Sequence, residues 1–137
     1  MNDPFLIRSN TFDRLVEEYL KHGSLIVAVD FDNTLFDYHN KGWQFPAVAE
    51  LMKDCKSLGF KIVVFTGSAK ERHSFIKDYC RSLGFIIDGV NEDVIDWHQD
   101  KSLDWSQSKI YFNILLDDRA GLGEAYNTLR ILVNLYK

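Results

Sequence analysis

The sequence predicts an α/β fold, a three-layer α/β/α sandwich on a mainly parallel sheet, and three observations predict it. Short continuous apolar runs rich in β-branched residues alternate with longer segments whose apolar residues recur at helical spacing. The helical segments end in glycine or another stop signal before the next run begins. Polar residues gather where three of the apolar runs end. Strands alternating with helices of ten or more residues imply crossover connections and a parallel, Rossmann-like sheet covered on both faces.

Phe12, Leu15, Val16, Tyr19 and Leu20 define the first amphipathic helix, with caps expected among Ser9, Asn10 and Thr11 and a stop at Lys21, His22 and Gly23. Residues 25–29 are apolar throughout, as in a strand buried on both faces, and the run ends at Asp30. Residues 35–45 are aromatic and polar without a period and read as a structured loop or short hairpin. Pro46 opens the second helix, whose inner stripe is Val48, Leu51, Met52, Cys55 and Leu58 and whose stop is Gly59. A second buried strand, residues 60–65, ends at Thr66. Ser68 to Glu71 reads S-A-K-E, a capping-box signature for a third helix lined by Ile76, Tyr79, Cys80 and Leu83 and closed by Gly84. A short third strand is expected at residues 85–87, then a long loop over residues 91–108 with many acids. Residues 111–116 form the expected fourth strand, and Leu122, Ala125, Tyr126, Leu129, Leu132, Val133 and Tyr136 the final helix.

A chain of 137 residues without internal repeats fits one domain spanning 1–137. The net charge of −4 supplies no long-range field for a phosphate polymer, which disfavours nucleic acid as a partner without ruling it out. Cys55 and Cys80 have no metal-binding or redox spacing and read as buried thiols in a reducing compartment. The first ten residues do not resemble a signal peptide, and no apolar run is long enough to cross a bilayer. A cytoplasmic protein with no membrane partner is the expectation. His22, His39, His73 and His98 have no partners at metal-ligand spacing.

In open parallel sheets ligands bind beyond the carboxyl ends of the strands. Asp30 with Asp32, Thr66, and Asp117 with Asp118 all end strands and are therefore expected to meet at one sheet edge. Each group alone could be a turn or a helix cap; the three together in this order carry the weight.

The segment V-A-V-D-F-D-N-T-L resembles the first motif of the haloacid dehalogenase superfamily, D-x-D-x-T after an apolar strand. I-V-V-F-T-G resembles its second motif and I-L-L-D-D its fourth, and together they bracket residues 25–119. For the third motif, a lysine ahead of the last strand, Lys109 in K-I-Y-F-N-I-L-L-D-D-R is the choice and Lys101 the alternative. The gaps at residues 35–45 and 91–108 are too short for a folded cap, so the resemblance is to small capless members with an open site.

The resemblance implies a phosphatase in which Asp30 attacks phosphorus and forms an aspartyl phosphate, while Asp32 protonates the leaving group and then activates water. An anion attacking an anionic ester needs the charge between them neutralised, and oxygen-only donors favour Mg²⁺. Asp30, the backbone carbonyl of Asp32 and Asp117 are the expected ligands, with Asp118 binding directly or orienting a water. Thr66, Lys109 and the amides following Asp30 and Thr66, those of Phe31 and Gly67, are expected to hold the transferring oxygens. Thr34 is expected to brace the loop. Aromatics after the nucleophile, Phe36, Tyr38 and Trp43, could stack on a nucleobase, though packing against the sheet edge is the default.

A small phosphomonoester, such as a nucleotide, is the expected substrate, and an oligomer is compatible with the open site. A macromolecular phosphate, as in a polynucleotide or a protein, and a catalytically silent binding module on the same fold are the alternatives. A receiver domain also uses acids, a hydroxyl and a lysine, but orders them differently along its strands.

Overall fold

Apolar residues at helical spacing and a left-handed glycine delimit the first long element. In the computed structural model, which describes residues 3–95 and 109–137, helix α1 runs Arg8–His22 and is closed by Gly23 at φ 73°. It starts earlier than the caps expected among Ser9, Asn10 and Thr11, because a single 3₁₀ turn, Pro4–Leu6, leads into it. Asn10 and Thr11 instead bond the carbonyls of Pro4 and Phe5.

Strand β1 (Ile26–Asp30) follows, then α2 (Pro46–Ser57), β2 (Lys61–Phe65), α3 (His73–Leu83), β3 (Gly89–Val90), β4 (Ile114–Leu116) and α4 (Leu122–Tyr136). The four strands form a parallel sheet in the order β3-β2-β1-β4. The chain thus builds outward from β1 in one direction and then returns to place β4 on its other side. That reversal is a topological switch point between β1 and β4, where open α/β sheets form a crevice.

Period-2 alternation divides the core. Val27, Val29, Ile62, Val64 and Leu116 are buried together with residues from all four long helices, including Leu15, Met52, Ile76 and Leu132. On the opposite face, Ile26, Ala28 and Val63 pack against Val94, Ile95, Tyr111 and Phe112. The sheet is the middle of three layers, as in the Rossmann-like α/β/α class expected from the sequence. Leu51, Met52 and Leu129 are fully buried, so the predicted stripes of α2 and α4 do face the core.

Three local expectations are corrected. The third strand is Gly89–Val90, not residues 85–87: Phe85 turns into the core and Ile86 is 63% exposed. Asp88 then latches the chain to the sheet, donating its N–H to the Ile62 carbonyl at 2.8 Å and accepting the Ile62 N–H at 2.7 Å. The fourth strand begins at Ile114 instead of residue 111, because the Asn113 side chain occupies the ladder position. Its Oδ1 accepts the Ile26 N–H at 2.7 Å, and its Nδ2 donates to Glu18 at 2.7 Å. The capping box at Ser68 to Glu71 does not form. Lys70–Arg72 is a 3₁₀ turn, α3 has no side-chain cap, and the Ser68 hydroxyl accepts the Arg72 guanidinium at 2.6 Å.

Candidate active site

Register brings the strand-end residues together. Val29 pairs with Leu116 and Asp30 with Phe65, so Asp30 lies level with Asp117 on one side and one residue before Thr66 on the other. Adjacent strands lie about 5 Å apart, which sets the spacing of the groups they carry. Each of Asp30, Asp117 and Asp118 offers a carboxylate oxygen, and the three oxygens all lie within 4.8 Å of one another.

The loop after β1 holds this geometry. The Phe31 carbonyl accepts the N–H groups of Thr34, Leu35 and Phe36, and Asn33 takes a left-handed conformation at φ 63° to close the turn. This buries Thr34 completely. Its hydroxyl lies 3.2 Å from Asp118 Oδ1 and 3.4 Å from Asp30 Oδ2, and it accepts the Asp118 N–H at 3.1 Å. Thr34 therefore braces both acid-bearing loops, as expected. Asp117 accepts the Arg119 N–H at 2.9 Å, which fixes the turn into α4.

Crowding the acids has an electrostatic cost. Burial, above all, pushes Asp30 up to about 7, with further upward contributions from its hydrogen bond with Asp118 and from the charges of Asp117, Asp118 and Asp32. A cation among the three carboxylates would offset that repulsion. The donor set is oxygen-only, which suits a hard divalent ion and not zinc. The residues present therefore fit a hard divalent cation.

Thr66 and Gly67 lie beside Asp30 in a cleft of about 440 Å³ that Asn91, Lys109 and Phe112 also line. The Thr66 hydroxyl accepts the Ser68 N–H at 3.0 Å, which leaves its proton free to be donated. Lys109 is exposed and has no ion pair among the described residues, whereas Lys101 lies outside them. A second cleft of about 320 Å³ opens on the other side of Asp30 and is lined by Asp32, Tyr38, His39, Asp117 and Asp118.

Phe31 does not fill the expected role. Its N–H bonds the Phe65 carbonyl at 3.2 Å and its ring is fully buried, stacked on Phe36 at 5.2 Å between centroids. The sheet ladder has claimed the amide that would have faced a ligand. Phe36 packs against Phe31, Phe75 and Tyr79, while Tyr38 and Trp43 remain more than half exposed. Asp37 holds the following loop by accepting the N–H groups of Lys41, Gly42 and Trp43.

Two further residues belong to the site. Arg72 pairs with Asp32 through both nitrogens, Nη1 to Oδ2 at 3.1 Å and Nη2 to Oδ1 at 3.0 Å, the second without a well-aligned hydrogen bond. Its guanidinium also lies within 6 Å of the rings of Phe31, Phe36, Tyr38 and Phe75. Asn91, at φ 52°, ties β3 to the end of β2: its Oδ1 accepts the Thr66 N–H at 2.9 Å and its Nδ2 donates to the Thr66 carbonyl at 2.7 Å. The sequence held a signal for Asn91, as the polar residue ending the true third strand. It held none for Arg72, whose partner is 40 residues away.

The fold and site define an α/β protein with a parallel Rossmann-like sheet and a carboxylate cluster at its switch point. No family model matches the chain, and no curated protein matches it. Among solved structures the chain is similar to that of a conserved protein from Bacteroides thetaiotaomicron, at 21% identity and a TM-score of 0.59, covering 83% of this chain and 98% of that one. At this identity the likeness bears on the fold alone. Among the described residues no helix is long and apolar enough to cross a membrane.

Proposed function

We propose that this protein is a Mg²⁺-dependent phosphohydrolase that cleaves a small phosphomonoester through an aspartyl phosphate on Asp30. The observation that carries the reading is the convergence of the Asp30, Asp117 and Asp118 oxygens within 4.8 Å, beside a cleft lined by Thr66, Gly67 and Lys109. An ion held by the three carboxylates supplies charge neutralisation between an anionic nucleophile and an anionic ester.

The remaining work falls to the chain's own residues. An Asp30 oxygen bonds to phosphorus as the ester P–O bond breaks. Lys109, the Thr66 hydroxyl and the Gly67 amide hold the transferring oxygens as their charge redistributes. Asp32 gives a proton to the departing alkoxide and takes one from the water that cleaves the acyl phosphate, so alcohol and phosphate leave and Asp30 is restored. Arg72 orients Asp32 in the resting site. The ion pair must loosen before Asp32 can donate a proton, and an entering anion competes for the guanidinium.

The test is hydrolysis of a phosphomonoester panel with Mg²⁺, with Asp30→Asn as the comparison and acid-quenched protein analysed by mass spectrometry. Turnover should stop with EDTA and fall at least ~10³-fold on substitution, the scale expected for loss of a covalent nucleophile. The quenched wild type should carry one added phosphoryl group on Asp30. Equal rates for the two proteins would overturn the assignment.

A further inference from the structure

We infer that the substrate of this site is a bisphosphate, a small molecule whose second phosphate binds in a basic cleft beside the reacting one. The inference rests on the phosphatase reading above and adds the chemical class of its substrate.

The cleft, of about 600 Å³, is lined by Ser68, Lys70, His73, Lys77, Asn91 and Glu92. Asn91 also lines the cleft that contains Asp30, Thr66 and Lys109, so the two cavities adjoin. Their common wall is the strand end itself: residues 66–68, tightened by the Ser68 N–H bond to the Thr66 hydroxyl and pinned by Asn91. A ligand with one phosphate against Thr66 and Lys109 therefore has the second cleft as its neighbour across Asn91.

Charge sets the ligand class. The chain carries a net −4, yet this cleft gathers two lysines and a histidine against the single carboxylate of Glu92. Among the described residues, neither Lys70 nor Lys77 makes an ion pair. Ammonium groups, an imidazole and a hydroxyl together match a dianion with three terminal oxygens better than a carboxylate with two. The bound second phosphate takes no part in bond cleavage. The reacting ester takes up water and releases inorganic phosphate, and the product keeps its other phosphate. Binding energy at the second group would then hold the first in place for attack.

The experiment compares fructose 1,6-bisphosphate with fructose 6-phosphate, and adenosine 3′,5′-bisphosphate with adenosine 5′-monophosphate, in wild type and in a Lys70→Met/Lys77→Met double variant. The phosphocarboxylate 3-phosphoglycerate and the simple ester p-nitrophenyl phosphate complete the panel. For at least one pair the bisphosphate should show a kcat/KM at least about tenfold higher, carried by KM, and the double variant should erase that advantage. Hydrolysis of p-nitrophenyl phosphate should stay unchanged, which also shows that the variant is folded. Equal kcat/KM within both pairs, an advantage that survives the double substitution, or an equal advantage for 3-phosphoglycerate would each overturn the inference.

Calorimetric binding of the same compounds to Asp30→Asn separates the two readings. If nothing is hydrolysed, the phosphatase reading fails, while tighter binding of a bisphosphate that is lost in the double variant still supports the cleft. Absence of any preference in binding would sink it.

Discussion

Asp30 shows how a single ionisation reports on a site. Burial and three neighbouring acids push its carboxyl up to about 7, against an ordinary value of 3.8. A folded state that holds a proton more tightly than the unfolded chain is favoured at low pH. The associated stability is fully present below 3.8 and is lost as pH rises through 7. Asp30→Asn removes the charge and with it this loss. In metal-free protein the variant should match wild type near pH 4 and melt several degrees higher at pH 8. Saturating Mg²⁺ should raise the wild-type melting temperature at pH 8 and narrow the gap, because an ion that binds only the folded state stabilises it. Calorimetric scans at the two pH values, with and without Mg²⁺, check both outcomes. At this scale the acids and Thr66 were legible, since they stand where apolar runs end, whereas Lys109, which lines the same cleft, was singled out only by the resemblance. Arg72 was not, because its role depends on a turn folding back across the site.

Elements were legible in kind and less so in their limits. All four long helices occupy the segments that periodicity marked, because their apolar stripes face one shared core. The third and fourth strands moved because side chains replaced backbone partners. Asp88 and Asn113 both bond directly to main-chain groups of the sheet, and no apolar pattern records that. Asn113 is the more consequential, since the N–H it satisfies belongs to the fully buried Ile26. Asn113→Ala should destabilise the fold by about 1–3 kcal/mol, the usual penalty for an unpaired buried donor. Urea unfolding should show a lower midpoint with an unchanged slope, whereas an unaltered midpoint would mean that another group replaces the amide.

At the scale of the whole molecule, α2 and α3 contribute Cys55 and Cys80 to one continuous core, and both side chains are fully buried. Burial pushes each thiol up to about 12, so neither is a nucleophile while the protein is folded. With a thiol-specific disulfide reagent, the native protein should remain unmodified for as long as a guanidinium-denatured sample needs to release two equivalents. In mild denaturant the two cysteines should react together, because one cooperative opening exposes both; separate rates would divide the core into independent units. The sheet order has a bearing on biosynthesis. Residues 30 and 66 emerge early from the ribosome and can align as soon as β1 and β2 pair, but the acids at 117 and 118 arrive only after some fifty further residues. A nascent chain stalled before β4 would carry Asp30 without the two carboxylates that meet it in the folded protein. The three-carboxylate cluster is thus complete only once the last strand has joined the sheet.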